Sequence, residues 1–269
     1  MRVVGVIQAR MGSSRLPGKV MKSVLGKPLI LWMLERVRAA RTLDEIVVAT
    51  TTAAEDDAIV AVAEELGLFC FRGHATDLLD RHLQAGRVAE ATAVVKIPSD
   101  CPLIDPRVID RVVQVYRAHP EDQDFVSNLH PATYPDGNDV EVIPMHALEL
   151  AWIEATRLFE REHTTPFLWE HPERFRIRNV TWETGLDYSM SHRFTIDYPD
   201  DLDFVTAVFE GLHRPRAVPF SLVEILTFLD QRPDVFRLNS HLAGVNWYRN
   251  HLGELRTVSA AETVQLESP

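Results

Sequence analysis

The chain has 269 residues, 46% of them hydrophobic and 25% charged, with 28 Lys+Arg against 39 Asp+Glu and a net charge of −11. That composition excludes disordered and fibrous chains. It also argues against a general nucleic-acid binder, which needs a broad basic face. The charge is uneven: residues 1–41 hold nine basic side chains and one acid, Glu35, an asymmetry that points to an anion site.

Arg2–Gln8 reads as a buried strand, too short to be a signal peptide. A polar loop then runs to about Lys27, and Pro28–Ala40 shows helical spacing of Leu29, Met33 and Val37. Strands are predicted at Glu45–Thr50, Leu68–Phe71 and Thr92–Ile97, alternating with helices at Glu55–Leu66, Asp77–Ala89 and Pro106–Ala118. This alternation implies right-handed βαβ units, with strands buried on both faces of a parallel sheet. Past residue 120 the pattern loosens. Asp124–Ser127, Asp139–Ile143 and Ser191–Ile196 read as strands, and Met145–Thr156, Phe159–His171 and Pro199–Leu212 as helices. His213–Pro219 reads as a linker, Phe220–Leu252 as mostly helical, and Gly253–Pro269 as a frayed tail. Cys70 and Cys101 read as reduced thiols beside apolar runs. No apolar run reaches membrane-spanning length, so a cytoplasmic protein with no membrane and no nucleic-acid partner is expected.

The segment Gln8–Val20, QARMGSSRLPGKV, leaves the C-terminal end of the first strand, where open parallel sheets bind ligands. Its glycines permit close backbone approach, its serines donate hydrogen bonds, and Arg10, Arg15 and Lys19 offer cations to phosphate oxygens. It is neither a Walker A loop nor a GxGxxG fingerprint. A polyphosphate in such a cradle needs Mg²⁺, which takes one or two carboxylates. Asp100 follows the fourth strand at the same sheet edge, whereas Asp105 precedes Pro106 and suits a helix cap. Asp200 and Asp201 read as first-turn acids. Of two DxD patterns, Asp122–Asp124 reads as solvated, and Asp201–Asp203 lies on a helix where i and i+2 diverge. Asp139 and Glu141, two apart on a strand, face the same way and could meet sugar hydroxyls or form a hairpin edge.

IQARMGSSRLPGKVM resembles the signature loop of cytidylyltransferases related to spore coat polysaccharide biosynthesis protein F, relatives of the acylneuraminate and Kdo enzymes. The resemblance spans roughly residues 1–250 and implies an α/β, Rossmann-like GT-A-type nucleotidyltransferase fold with a mostly parallel sheet. It implies that the loop wraps CTP, with Arg10, Arg15 and Lys19 on phosphates, Gly12 and Ser13 giving backbone contacts, and Gln8 and Ala9 near the cytosine. It implies metal ligation by Asp100, where Ser99 replaces the family's Gly, and by Asp197 in IDYPDD. Thr50 and Thr51 match a base-contacting position, and Arg72, Asp77 and Arg81 match FRG…DxLxR lining the same site. TYPDGNDVEV, with Asp139 and Glu141, and REHTTP, with Arg161, Glu162 and His163, match segments expected on the acceptor side.

The resulting expectation is a Mg²⁺-dependent enzyme transferring CMP from CTP to a sugar acceptor. The catalytic domain would cover residues 1–212, and a helical extension 213–269, a candidate homodimer or partner face. A GT-A-like glycosyltransferase and a nucleotide-binding module without turnover are the alternatives.

Overall fold

Val3, Val4, Val6 and Ile7 are all fully buried because the first strand, β1 (Val3–Gln8), is covered on both faces. In the computed structural model, which describes residues 1–215 and 218–266, it pairs in parallel with β4 (Glu45–Thr51) on one side and β6 (Ala93–Pro98) on the other. A small antiparallel pair, β2 (Ser23–Val24) and β3 (Lys27–Pro28), lies between. With β5 (Phe69–Gly73), β7 (Phe125–Ser127), β8 (Glu141–Pro144) and β9 (Ile177–Asn179), the main sheet has the order β5-β4-β1-β6-β8-β7-β9. Among the described residues β8 alone runs against the others.

Helices cover both faces, and β1 feeds both. Val3 and Ile7 join a core built with α1 (Leu29–Val37), α2 (Asp57–Glu65), α4 (Pro106–Ala118), α8 (Pro199–Leu212) and α9 (Leu222–Gln231). Val4 and Val6 join a second core with α3 (Leu78–Val88), α5 (Met145–Glu154), α6 (Leu158–His163) and α7 (Pro166–Trp169). Alternation of period two along the strand produces this division. Pro106 and Pro199 start α4 and α8 at the predicted residues, and Asp105 caps α4 by accepting from Arg107 N at 2.8 Å.

Several expectations are corrected. The helix foreseen over Phe159–His171 is two short helices, because Pro166 cannot donate to the carbonyl four residues back and Thr164 adopts φ +73°. Ser191–Ile196 is no strand. It is held by loop pairing instead: Phe194 N donates to Asp136 O at 2.7 Å and Ile196 N to Asp100 O at 2.9 Å. Gly137 allows this approach, for a Cβ there would stand 2.7 Å from the Phe194 carbonyl carbon. The tail is not frayed as far as residue 266. Leu255 and Val258 are buried, and the Glu170 carboxylate accepts from Arg256 N at 2.7 Å and Thr257 N at 2.9 Å. Phe220–Leu252 contains α9, α10 (Pro233–Phe236) and short 3-10 turns. Residues 216 and 217 of the expected linker lie outside the described residues.

Two charged groups are buried. Arg36, in the last turn of α1, is buried, and its guanidinium donates to Ile104 O (2.8 Å), Leu103 O (3.2 Å) and Phe220 O (2.7 Å). Burial lowers its pKa to about 10. Asp124, read as solvated, is buried between Arg176 (2.8 Å) and His146 (3.0 Å). Cys101 is buried and Cys70 half-buried, both free. No helix among the described residues is long and apolar enough to cross a membrane.

Candidate active site

The parallel strands β1, β4 and β6 deliver Gln8, Thr50–Thr51 and Pro98–Asp100 to one edge of the sheet. The loop after β1 turns back at Gly18, whose φ of +65° suits glycine and whose N–H donates to Met11 O at 3.2 Å. Ser13 Oγ accepts from Leu16 N at 3.3 Å, so its hydroxyl shapes the loop. That turn aims Lys19 across the sheet edge.

Lys19 Nζ lies 2.8 Å from Asp100 Oδ2, 3.0 Å from Asp197 Oδ1 and 2.9 Å from Ile196 O, satisfying its three N–H donors. Arg15 Nη2 meets the same Asp197 oxygen at 2.7 Å. Burial opposes ionisation of Asp197, but Lys19 and Arg15 outweigh it and hold its pKa at about 2. Burial likewise opposes the charge on Lys19, and the two aspartates raise its pKa in spite of that. Two of the three loop cations and both candidate metal ligands therefore converge. The third, Arg10, is exposed and donates to Ala75 O at 3.2 Å, away from this group.

Behind Asp197 stands Arg193, which sequence reasoning missed. Its buried guanidinium meets Asp201 at 2.9 Å, Asp136 at 3.2 Å, Asp197 at 3.3 Å and Val245 O at 2.7 Å. Asp201 is fully buried, and one of its oxygens accepts from Asp197 N (2.9 Å) and Tyr198 N (3.0 Å). It is thus a positioning group for Asp197 rather than only a first-turn acid. The spacing Arg193-Asp197-Asp201 was the available signal, though nothing in it distinguishes a buried hub from a solvated run.

The cavity bounded by these residues holds about 520 Å³. Gln8, Arg15, Asp100 and Asp197 line it, as do Asp139, Glu141, Glu162 and His163. Asp139 and Glu141 both line the cavity, although β8 starts only at Glu141 and Asp139 lies in the loop before it. Glu141 is buried, paired with Lys96 across the β6–β8 ladder and accepting from Thr165 Oγ1 at 2.6 Å. Lys96 was also missed, although a lysine inside the apolar run AVVKIP is a visible anomaly. His163 stacks on Trp247 with ring centroids 3.8 Å apart, and burial lowers its pKa to about 3.

Other candidate residues carry structural bonds. Thr51 Oγ1 donates to Asp56, and Arg72 donates to Thr51 O (2.9 Å) and Ala53 O (2.7 Å) and pairs with Asp57 at 2.6 Å. Asp77 caps α3 by accepting from Asp80 N at 2.9 Å and binds Arg161 at 2.5 Å, tying α3 to α6. Ala9 is a backbone position whose N–H donates to Ala49 O at 3.0 Å. A Cβ at Gly12 would meet only Glu55 Oε1, at 3.8 Å, so protein packing does not require this glycine. Thr50 Oγ1 and two guanidinium nitrogens of Arg81 are buried and lack partners among the described residues, and burial lowers the Arg81 pKa to about 10.

Two carboxylates within 3.0 Å of one cation are a fitting donor set for a hard divalent ion, which prefers oxygen ligands.

The sequence profile of the family described as Cytidylyltransferase matches residues 4–222. An uncharacterized protein of Methanocaldococcus jannaschii is 32% identical over 242 residues, covering 90% of this chain and 96% of its own length. Spore coat polysaccharide biosynthesis protein SpsF of Bacillus subtilis is 28% identical, covering 86% of this chain and 95% of its own. A solved structure of a cytidylyltransferase from Leptospira borgpetersenii superposes with a TM-score of 0.83 at 30% identity, over 88% of this chain and 97% of that one. The fold is thus the Rossmann-like nucleotidyltransferase fold, and the chain belongs to the cytidylyltransferase family.

Proposed function

We propose that the protein transfers CMP from CTP to an oxygen of a sugar acid or sugar phosphate, releasing pyrophosphate, and so makes an activated sugar for surface polysaccharide. The observation that carries this reading is the meeting of Lys19, Arg15, Asp100 and Asp197 at the sheet's C-terminal edge.

Asp100 and Asp197 would hold Mg²⁺, which when bound neutralises the α-phosphate and orients it. Lys19 and Arg15 draw the polyphosphate in and stabilise charge on the departing pyrophosphate. Arg193 and Asp201 fix the Asp197 carboxylate before substrate arrives, so little reorganisation is needed. Gln8 places a buried, unpartnered carbonyl oxygen on the cavity wall. Cytosine offers an amino donor to such an acceptor, where uracil offers none. No covalent protein nucleophile is required.

A glycosyltransferase reading is disfavoured by both DxD patterns. Asp124 is committed to Arg176, and Asp201 to Arg193.

The test is a pyrophosphate-release screen of four nucleoside triphosphates against sugar acids and sugar 1-phosphates. Release is expected with CTP, only when acceptor and Mg²⁺ are both present. Release independent of acceptor, or with a purine nucleotide alone, contradicts the reading.

A further inference from the structure

The far end of the cavity is closed by the chain's C-terminal segment. Gly244–Arg249 and Ala261–Glu262 line this C-terminal wall. All of these residues lie beyond the stretch matched by the family profile. The short turn Trp247–Asn250 within it is fixed in place. Asn246 Oδ1 caps the turn by accepting from Tyr248 N at 3.1 Å, and Asn246 Nδ2 donates to Glu262 O at 2.8 Å. Arg193 holds the neighbouring Val245 O at 2.7 Å, and Trp247 stacks on His163.

The turn carries Arg249 to Tyr198, the residue that follows Asp197. Arg249 Nη2 donates to Tyr198 Oη at 3.2 Å, and its Nη1 donates to Asn246 O at 3.4 Å. Two further guanidiniums face the Tyr198 ring, Arg15 at 5.7 Å and Arg193 at 5.9 Å from its centroid. Three cations therefore meet at one side chain, and their compensation is unequal. Arg15 pairs with Asp197, and Arg193 pairs with Asp136, Asp197 and Asp201. Lys96, the remaining Lys or Arg on the cavity wall, is engaged by Glu141. Arg249 pairs with no carboxylate among the described residues, and both of its side-chain bonds there go to neutral oxygens. Most of its N–H donors are left over. A half-buried guanidinium with spare donors suits an anion that offers several oxygens. Such an anion also relieves the repulsion among the three neighbouring cations.

We infer that Arg249 binds the phosphate tail of the nucleoside triphosphate. The tail is then held by two separate parts of the chain, the Gln8–Val20 loop through Arg15 and the C-terminal turn through Arg249. Tyr198 is the positioning residue between them, since its ring lies against Arg15 and its hydroxyl sets Arg249. This rests on the cytidylyl-transfer reading and adds to it a cation from outside the family profile. The tail departs as pyrophosphate, so the same guanidinium meets the product.

Calorimetric titration of the full chain with CTP, pyrophosphate and CMP, each with Mg²⁺ at one ionic strength, tests it. Arg249→Gln is expected to weaken CTP and pyrophosphate by about tenfold, the worth of a charge-assisted bond, and to leave CMP within about twofold. Arg249→Lys keeps the charge without the fork and should fall between. Tyr198→Phe keeps the ring and removes the hydroxyl, so it should weaken CTP and pyrophosphate by about threefold and spare CMP. Should Arg249→Gln fail to fold, the last two variants carry the test. Affinities for CTP and pyrophosphate that stay within about twofold of the wild type in Arg249→Gln overturn the inference. A loss shared equally by CMP overturns it too, because it marks a structural role. An effect confined to the KM of the acceptor found by the pyrophosphate-release screen also overturns it, by giving Arg249 to the acceptor. CTP binding indifferent to Arg249 leaves cytidylyl transfer standing, whereas a wild type that binds no CTP overturns both.

Discussion

The ammonium of Lys19 stands 2.8 Å from the carboxylate of Asp100, 81 residues away along the chain. It bridges Asp100 to Asp197, so it occupies the space between the two acids proposed to share a cation. Replacing it leaves two partly buried carboxylates without their bridge, and like charges at that distance repel. Lys19→Met is therefore expected to lose about 2 kcal/mol of stability in metal-free buffer. Mn²⁺ should raise its Tm more than that of the wild type, by ligand-linked stabilisation. A thermal-shift titration without nucleotide measures this. Equal metal response in both proteins would separate Lys19 from the metal site.

Nucleotide choice depends on a different atom. The buried carbonyl oxygen of Gln8 has no partner among the described residues. A site built to bond one donor discriminates strongly against a base that lacks it. Gln8→Leu should lower the ratio of kcat/KM for CTP over UTP at least tenfold. An unchanged ratio would assign pyrimidine choice to backbone groups.

Asp201 answers Arg193 in the interior, where neither reaches water. Removing one member of a buried pair costs about 3–5 kcal/mol, because the other charge is left unpaired. Asp201→Ala should unfold at much lower urea and, where still folded, lose kcat by more than KM for CTP, since Asp197 loses its orienting bond. A change of less than 1 kcal/mol by urea titration would contradict the hub assignment.

Much of this was legible in the sequence. The strand–loop–helix order of the first half and the position of Asp100 follow from strand ends, whereas Asp197 was legible only through the family resemblance, because the strand expected before it is a loop. Thr51, Arg72, Asp77 and Arg161 were harder, because an arginine that pins a loop and one that binds phosphate have the same local sequence. Only the partner, such as Thr51 O for Arg72 or Asp77 for Arg161, separates them, and those partners come from distant elements. The C-terminal wall was illegible for a related reason. Its contacts with Glu170 and Arg193 are long-range and leave no periodic trace.

His82 gives a pH test independent of the site. It is buried, its Nδ1–H donates to Leu78 O at 2.7 Å, and burial lowers its pKa from 6.5 to about 3. The unfolded chain therefore binds a proton that the folded chain refuses between those values. Stability is retained above pH 6.5 and falls as pH drops through the window, by about 1.4 kcal/mol per pH unit per proton. His82→Gln should be less steep by that amount between pH 6 and 4 in urea titrations, and parallel to the wild type above pH 7. Parallel curves throughout would mean that His82 titrates normally in the fold.

The reaction class itself is tested most directly by following label from CTP with the acceptor that supports pyrophosphate release. With [α-³²P]CTP the label should appear in the sugar product, and with [γ-³²P]CTP in pyrophosphate. Asp100→Asn should lower both signals at least 100-fold while its circular dichroism and Tm show an intact fold. Transfer of the γ label to the acceptor, or undiminished α-label transfer by folded Asp100→Asn, would contradict cytidylyl transfer at this site.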